Sequence, residues 1–216
     1  MNKLLIILFL PTFALGQISP AKEIPFSYKS FLNLVNYFDS KKEVIEFFDF
    51  KKGDIVADIG AGEGKYEGAF SLLFDSINYF VQDIDKKTLT QDKLNKVVKH
   101  YSSLKGVPQT NKFQLCIGTE KSTNLPEAMF DKIIMLSSFH EFTFMDEMIA
   151  DINKKLKPDG KVYIVDAFCS EKGHVNYTSD EVILKMKKHG FILVKLQGSN
   201  KNESSGLYKA IFKKIG

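Results

Sequence analysis

The feature that most constrains the fold of this chain is a glycine-rich turn between an apolar run and a helical pattern. The apolar residues at 54–59 predict a buried strand, and glycines follow at 60, 62 and 64. Glycine allows a tight turn and a close approach of the backbone to a ligand. A helix predicted from Lys65 onward directs its first N–H groups towards an anionic ligand. This succession of strand, loop and helix indicates a nucleotide-cofactor site.

Strand and helix patterns alternate along the rest of the chain. Thr178 to Glu181 has the spacing of a capping box, which predicts a helix ending near His189. Strands are predicted at 54–59, 77–83, 113–117, 131–136, 161–167, 191–196 and 207–212, and helices at 30–38, 41–50, 65–74, 86–103, 143–156 and 178–189. This alternation predicts an α/β fold with a doubly wound, mainly parallel seven-stranded sheet, in which the last two strands form a closing antiparallel hairpin.

The glycine spacing distinguishes two classes of cofactor loop. The dinucleotide fingerprint G-x-G-x-x-G requires a third glycine where this chain has Lys65. That substitution disfavours a nicotinamide-dependent oxidoreductase. The pattern D-x-G-x-G-x-G at 58–64 instead resembles motif I of the class I S-adenosylmethionine-dependent methyltransferases, which have a Rossmann-like fold.

Further segments extend this resemblance, in the family's order, over about residues 40–200. Residues 81–85 are similar to the second motif, whose acidic residue binds the ribose hydroxyls of the cofactor. Residues 116–119 and 125–135 are similar to the adenine loop and the fourth strand. Residues 156–166 are similar to the family's "LKPGG" turn and fifth strand. The chain looks most like small bacterial methyltransferase-domain proteins.

The resemblance implies S-adenosylmethionine as the cofactor and assigns its contacts. Asp83, at the end of a predicted strand, is expected to accept hydrogen bonds from both ribose hydroxyls, while Asp85 suits an N-cap of the next helix. For Asp58, a bond to the cofactor's ammonium group and a purely structural role at the strand end both stay open. The predicted cofactor-binding residues are Asp58, Gly60, Ala61, Gly62, Gly64, Asp83, Ile84, Thr119 and Ser137.

His140, just after the fourth predicted strand, is the candidate catalytic residue. The family often carries a His-His pair at this point, where this chain has Phe139 and His140. A histidine there can take a proton from a hydroxyl or amine acceptor. The alternative is that His140 packs under the cofactor or forms a local hydrogen bond. The four histidines stand far apart in the sequence, so no metal site is predicted.

Charge distribution and missing motifs narrow the choice of methyl acceptor. The net charge is +4, but the lysines are scattered, which is typical of solvated helix faces rather than of a nucleic-acid interface. The Asn-Pro-Pro-Tyr motif of amino-methylating nucleic-acid enzymes is replaced by Leu-Ser-Ser-Phe at 136–139. We therefore predict a small-molecule acceptor and no nucleic-acid partner.

The N-terminus predicts a secretory signal peptide. Lys3 precedes an apolar stretch at 4–15, and small residues at 14 and 16 suit cleavage before Gln17. The stretch is too short for a membrane span. The predicted organisation is a signal peptide at 1–16, a helical cap at 17–50 and a methyltransferase domain at 51–216, with export to the periplasm or beyond. An uncleaved N-terminal helix on a cytoplasmic protein is the alternative.

Export conflicts with the predicted activity, because S-adenosylmethionine is made in the cytoplasm. The alternative function is therefore an exported, non-catalytic ligand-binding protein on the methyltransferase fold.

Overall fold

The computed structural model describes residues 38, 40–167, 177–198 and 207–215. Three predictions lie outside the described residues. They are the signal peptide at 1–16, nearly all of the helix at 30–38, and a loop at 202–206 that would join the last two strands. Within the described part of the chain, no helix is both long and apolar enough to cross a membrane.

A seven-stranded sheet forms the centre of the molecule. Its strands in chain order are β1 (Ile55–Ile59), β2 (Asn78–Asp83), β3 (Lys112–Ile117), β4 (Phe130–Leu136), β5 (Leu156–Ala167), β6 (Phe191–Gln197) and β7 (Leu207–Lys214). The spatial order is β3-β2-β1-β4-β5-β7-β6. The first five strands are parallel to one another, while β7 runs antiparallel to both β5 and β6. The predicted mainly parallel sheet with a closing antiparallel pair is confirmed.

One helix precedes the first strand and the other helices lie in connections between strands, as the alternating pattern predicts. They are α1 (Lys41–Phe48), α2 (Lys65–Phe70), α3 (Gln91–Lys105), α4 (Met145–Lys155) and α5 (Ser179–Lys188), with a short 3-10 turn at Phe139–Glu141. The capping box of α5 is present, since Thr178 and Glu181 each bond the other's backbone N–H. Two reciprocal bonds of this kind satisfy N–H groups that a helix start otherwise leaves open.

Asp85 is not the N-cap that the sequence predicted, because α3 begins later. Thr90 caps α3 by accepting from the N–H of Lys93 at 3.3 Å. The Asp85 carboxylate accepts instead from the backbone of Lys87 and the hydroxyl of Thr88. This local turn lies between β2 and α3, so α3 begins only at Gln91.

The predicted turn at 156–160 is part of the fifth strand. β5 already pairs with β4 at Leu156, opposite Phe130, and a register shift separates this pair from the next at Lys161. The irregularity explains the turn-like residues Pro158 and Gly160, since extra residues in one strand bend it locally.

Buried apolar side chains cover both faces of the sheet. On one face, α1 contributes Phe47 and Phe48, whose rings contact Tyr163 of β5 at centroid distances of 5.7 and 5.8 Å. On the other face, α4 packs Ile149 and Ile152 against the sheet core. Helices therefore pack against both faces of the sheet.

Candidate functional site

A cavity lies at the carboxyl ends of β1, β2 and β4, where the strand order reverses direction. β1 pairs with β2 on one side and with β4 on the other, so the loops that follow them diverge. This divergence is the usual ligand position in open α/β sheets. The cavity measures about 240 Å³. Its lining residues are Ile59, Gly60, Gln82, Asp83, Ile84, Glu120, Ser137, Ser138, Glu141, Phe142, Thr143 and Met148.

The glycine loop follows β1 and is tied to the end of β2. The N–H groups of Gly60 and Ala61 both donate to the carbonyl of Gln82, at 3.0 and 2.9 Å. Gly60 has a φ of +77° and Gly62 a φ of +58°, in the left-handed region that glycine occupies without strain. Only a residue without a Cβ fits at position 60, because an added Cβ would lie 2.6 Å from the Cβ of Ser138.

Asp83 lines the cavity and also holds the glycine loop in place. Its carboxylate accepts from the N–H of Gly62 and from the N–H of Asp85, both at 2.8 Å. One side chain thus fixes the relative position of the loops after β1 and β2. Each carboxylate oxygen retains acceptor capacity beyond one bond, so the group has room for ligand hydroxyls.

Asp58 is completely buried behind the glycine loop, next to Glu67 of α2. Among the described residues, no N–H or hydroxyl donor reaches either carboxyl group. Burial, followed by the neighbouring Glu67, raises the pKa of Asp58 well above its usual range. Burial also raises the pKa of Glu67. Two adjacent carboxyl groups in an apolar setting do not both ionise readily, and neither Asp58 nor Glu67 is among the residues that line the cavity.

Ile84 and Thr119, two more of the predicted cofactor residues, flank a groove beside the cavity. Ile84 is 49% exposed and borders both the cavity and the groove, which Thr119 also lines. The Thr119 hydroxyl accepts from the N–H groups of Lys121 and Ser122, which closes the turn after β3. An exposed apolar residue facing a tight turn leaves space for a flat group between them.

The structure brings most of the predicted cofactor residues together. Gly60, Asp83, Ile84 and Ser137 line the cavity, and Thr119 lines the adjoining groove. Sequence reasoning missed Gln82, Ser138, Phe142, Thr143 and Met148 as lining residues. The positions of Gln82 and Ser138 at and just after predicted strand ends were the available signal, whereas Thr143 and Met148 lie in the predicted helix that follows.

His140 lies at the rim of the site on the 3-10 turn after β4. Its Nδ1 atom is 2.7 Å from Oδ1 of Asp166, and its backbone N–H donates to Oδ2 of the same carboxylate at 3.0 Å. Its Nε2 atom lies 3.2 Å from Oε1 of Glu141, which lines the cavity. The hydrogen bond that the sequence left open is therefore present, with Asp166, and the separate contact with Glu141 connects His140 to the cavity.

Asp166 was not predicted from the sequence. It stands near the carboxyl end of β5 and is 1% exposed. Because β5 lies beside β4, its end reaches the turn that carries His140. Burial, together with the Asp166 carboxylate, raises the pKa of the Tyr208 phenol on β7. The order of neighbouring strands was the signal that could have pointed to this residue.

The donors and acceptors around the cavity fit the cofactor that the sequence resemblance implies. Asp83 offers a carboxylate to hydroxyl groups, and Gly60 presents bare backbone. The buried Nε2 of Gln82 has no hydrogen-bond partner among the described residues. Such a group favours a ligand that brings an acceptor atom. No cluster of three or more His, Cys, Asp or Glu side chains suited to a metal ion occurs in the described ranges.

Comparison with known proteins agrees with this geometry. A family model described as "Methyltransferase domain" matches residues 57–164, which is half of the 216-residue chain. Among proteins with curated functions, none matches this sequence significantly.

Several solved structures share the fold. A S-adenosylmethionine-dependent methyltransferase from Aquifex aeolicus superposes with a TM-score of 0.61 at 19% identity, over 86% of this chain and 97% of that one. A second, from Methanosarcina mazei, gives 0.60 at 14% identity, over 79% and 97%. Phosphoethanolamine N-methyltransferase 2 of Haemonchus contortus, in complex with S-adenosyl-L-methionine, gives 0.63 at 13% identity, over 87% and 56%.

Proposed function

The chain belongs to the methyltransferase-domain family, within the class I S-adenosylmethionine-dependent methyltransferases, and from that premise we propose that it methylates a small-molecule acceptor. S-adenosylmethionine is its cofactor. The observation that carries the proposal is the juxtaposition of Asp83, the bare backbone of Gly60 and the His140 turn around one cavity.

Binding of the cofactor rests on residues of the β1 and β2 loops. Asp83 would hold the ribose hydroxyls, while Gly60 lets the backbone lie against the ligand. The groove between Ile84 and Thr119 would take the adenine ring. The apolar side chains of Phe142 and Met148 keep the reacting region relatively dry, which strengthens polar contacts made there.

S-adenosylmethionine supplies a methyl group on a sulfonium, which is already a good leaving group. The protein's task is therefore mainly to position the acceptor and to remove its proton. We assign the proton to His140, whose Nε2 lies 3.2 Å from Oε1 of the cavity-lining Glu141.

The proposal of a small acceptor rests on the scattered lysines and on the missing Asn-Pro-Pro-Tyr motif, and one cavity is available for the ligands. The described lining forms a cavity of about 240 Å³, enclosed by short loops after β4 and β2. A cavity of this kind, with mixed apolar and polar walls, is typical of small-ligand sites. Export by the N-terminal segment stays a separate proposal, which processing of the secreted chain before Gln17 would support.

The first test is a calorimetric titration of the purified full-length chain with S-adenosylmethionine and S-adenosylhomocysteine, with NAD as a comparison ligand. Both adenosyl ligands are expected to bind, and NAD is not. Asp83→Asn should raise their dissociation constants about tenfold to a hundredfold, since one hydrogen bond to a charged group contributes about 1.5–3 kcal/mol.

Asp85→Asn is the matched control. It removes the same charge from a side chain that lies two residues after Asp83 and does not line the cavity. It should leave the affinity unchanged. Absence of adenosyl-ligand binding to the wild type would contradict the proposed function. Equal affinities for Asp83→Asn and the wild type would contradict the ribose assignment alone.

A further inference from the structure

We propose that one face of the antiparallel corner formed by β5, β7 and β6 docks on an anionic lipid surface. The residues that define this docking face are Lys161, Ile192, Lys195, Lys213 and Ile215, all of them exposed. Docking here does not depend on methyl transfer, because none of these five residues lines the cavity.

Strand pairing brings together lysines that lie far apart in the sequence. Lys213 of β7 is opposite Lys161 of β5 on one side and Ile192 of β6 on the other. Residues directly opposite each other in neighbouring strands have their side chains on the same face of the sheet. Lys195 is opposite Ile211, two residues before Lys213, so it lies on this face as well. Three lysines therefore share one side of the corner.

Apolar side chains lie among these lysines. Ile192 is 39% exposed, Ile215 is 49% exposed, and Val194, at the register shift in β6, is 50% exposed. The N–H of Ile215 donates to the carbonyl of Gly190 at 2.8 Å, so the pairing of β7 with β6 continues past the end of the strand. Side chains alternate along a strand, which places Ile215 on the same face as Lys213. An exposed apolar patch with a polar rim is typical of a surface that contacts a protein or a membrane.

Helix α1 covers the adjacent part of the same face and leaves the docking face open. Lys209, four residues before Lys213 on β7, forms an ion pair with Glu43 of α1 at 2.9 Å. Ile211 is buried in the core to which α1 contributes. In contrast, the three lysines of the docking face form no ion pair with a carboxylate of the described ranges. Like charges directly opposite each other, as at Lys161 and Lys213, repel, so an anionic partner would stabilise this arrangement.

The combination of charge and apolar residues favours an anionic bilayer over the other partners. A second copy of the chain would bring the same lysines to the contact. Residues 17–37 contain two lysines and one glutamate, so they offer no complementary charge. A phosphate backbone of nucleic acid would satisfy the lysines alone. Anionic headgroups attract lysines near the bilayer surface, and the boundary with the acyl chains accepts apolar side chains such as Ile192 and Ile215.

The docking face lies towards the opposite end of the sheet from the cavity. Lys161 pairs with Lys132 near the start of β4, whereas the cavity includes Ser137 and Ser138, which follow the end of β4. A bound bilayer would therefore leave the cavity accessible.

The test is cosedimentation of the full-length chain with vesicles of phosphatidylcholine alone and of equal parts of phosphatidylcholine and phosphatidylglycerol. The wild type should bind the anionic vesicles more tightly, and added salt should weaken this binding. Lys195→Glu combined with Lys213→Glu should weaken it at least about tenfold, since each lysine near an anionic surface strengthens binding about fivefold. Ile192→Ser combined with Ile215→Ser should also weaken it. All variants keep the apolar stretch at 4–15, so binding through that stretch is common to them.

The matched control is Lys96→Glu combined with Lys99→Glu. It makes the same charge change at two exposed residues of α3, which packs beside the opposite edge strand β3, and it should bind as the wild type does. Circular dichroism checks that each variant is folded, and Lys213→Glu places an opposite charge beside Lys161, which favours folding.

Equal affinity of the wild type for the two kinds of vesicle would overturn the proposal, and so would equal losses in the two pairs of lysine variants. If the wild type instead binds duplex DNA or polyglutamate through Lys195 and Lys213, and not the vesicles, the face serves another anionic polymer and the lipid assignment is wrong.

Discussion

Replacement of Gly60 by alanine should destabilise the fold through contact with the His140 turn as well as through the backbone. Alanine at a φ of +77° is strained, at a cost of about 1–2 kcal/mol. The added Cβ would also lie 2.6 Å from Cβ and 3.1 Å from Oγ of Ser138, well inside normal contact distance. Forced overlap of this kind costs about 1–3 kcal/mol, so we expect a total loss of about 2–5 kcal/mol.

Gly62→Ala separates the two contributions. Its φ of +58° imposes a similar backbone strain, but nothing lies within 4 Å of the added Cβ. We therefore expect Gly62→Ala to cost only about 1–2 kcal/mol. Urea unfolding of the full chain, followed by circular dichroism, measures both free energies of unfolding.

A double-mutant cycle with Ser138→Gly tests the contact itself. Ser138→Gly alone removes the hydrogen bond from its hydroxyl to the carbonyl of Ile59, at 2.6 Å, for about 0.5–1.5 kcal/mol. In the double mutant, Ser138→Gly also removes the overlap with the alanine at position 60. The double mutant should therefore lose about 1–3 kcal/mol less stability than the sum of the two single losses. Equal losses for Gly60→Ala and Gly62→Ala, together with zero coupling, would refute the reasoning.

Two further predictions concern the buried interior. The raised pKa values of Asp58 and Glu67 mean that the native state binds more protons than the unfolded chain above about pH 4, so stability should fall as pH rises through the folded-state pKa values. Glu67→Gln should make this decline above about pH 4 less steep in urea titrations, because it removes one of the two carboxyl groups, and an unaltered slope would show that the pair is not its cause. Phe48→Ala should cost about 3–5 kcal/mol, because the ring is fully buried among aromatic neighbours. Ile45→Ala on the same helix, at a residue 42% exposed, should change the free energy of unfolding by less than about 1 kcal/mol, and similar losses for both would argue against this packing.

The sheet and the loops after β1 and β2 could be predicted from the sequence because the residue patterns that indicate them are local. A buried parallel strand appears as an apolar run. Gly60 and Gly62 have positive φ angles, which residues with a side chain rarely adopt. Asp83 was found in the same way, at the end of the following strand. Each of these residues lies within a single strand–loop–helix unit.

The His140 site could be predicted only in part, because its contacts join distant segments. The sequence indicated the histidine but not its partner, since Asp166 lies 26 residues further along and meets it through pairing of β4 with β5. The partner of Asp58 was missed for a similar reason. From the sequence, Glu67 is an ordinary polar residue in the first turn of α2. The helical pattern does not show that this turn packs directly onto the end of β1.

In the proposed function, the residues for the cofactor and the residue for the proton lie on different parts of the sheet. Asp83 and the glycine loop belong to β1 and β2, whereas His140 and Asp166 belong to β4 and β5. Ser138, against Gly60, lies where the two parts meet. Under that proposal, acceptor specificity would be set by the segment after β4 and the end of β5, apart from the loops that bind the cofactor. A chimaera that transplants those two segments between relatives would exchange the substrate and keep the methyl donor.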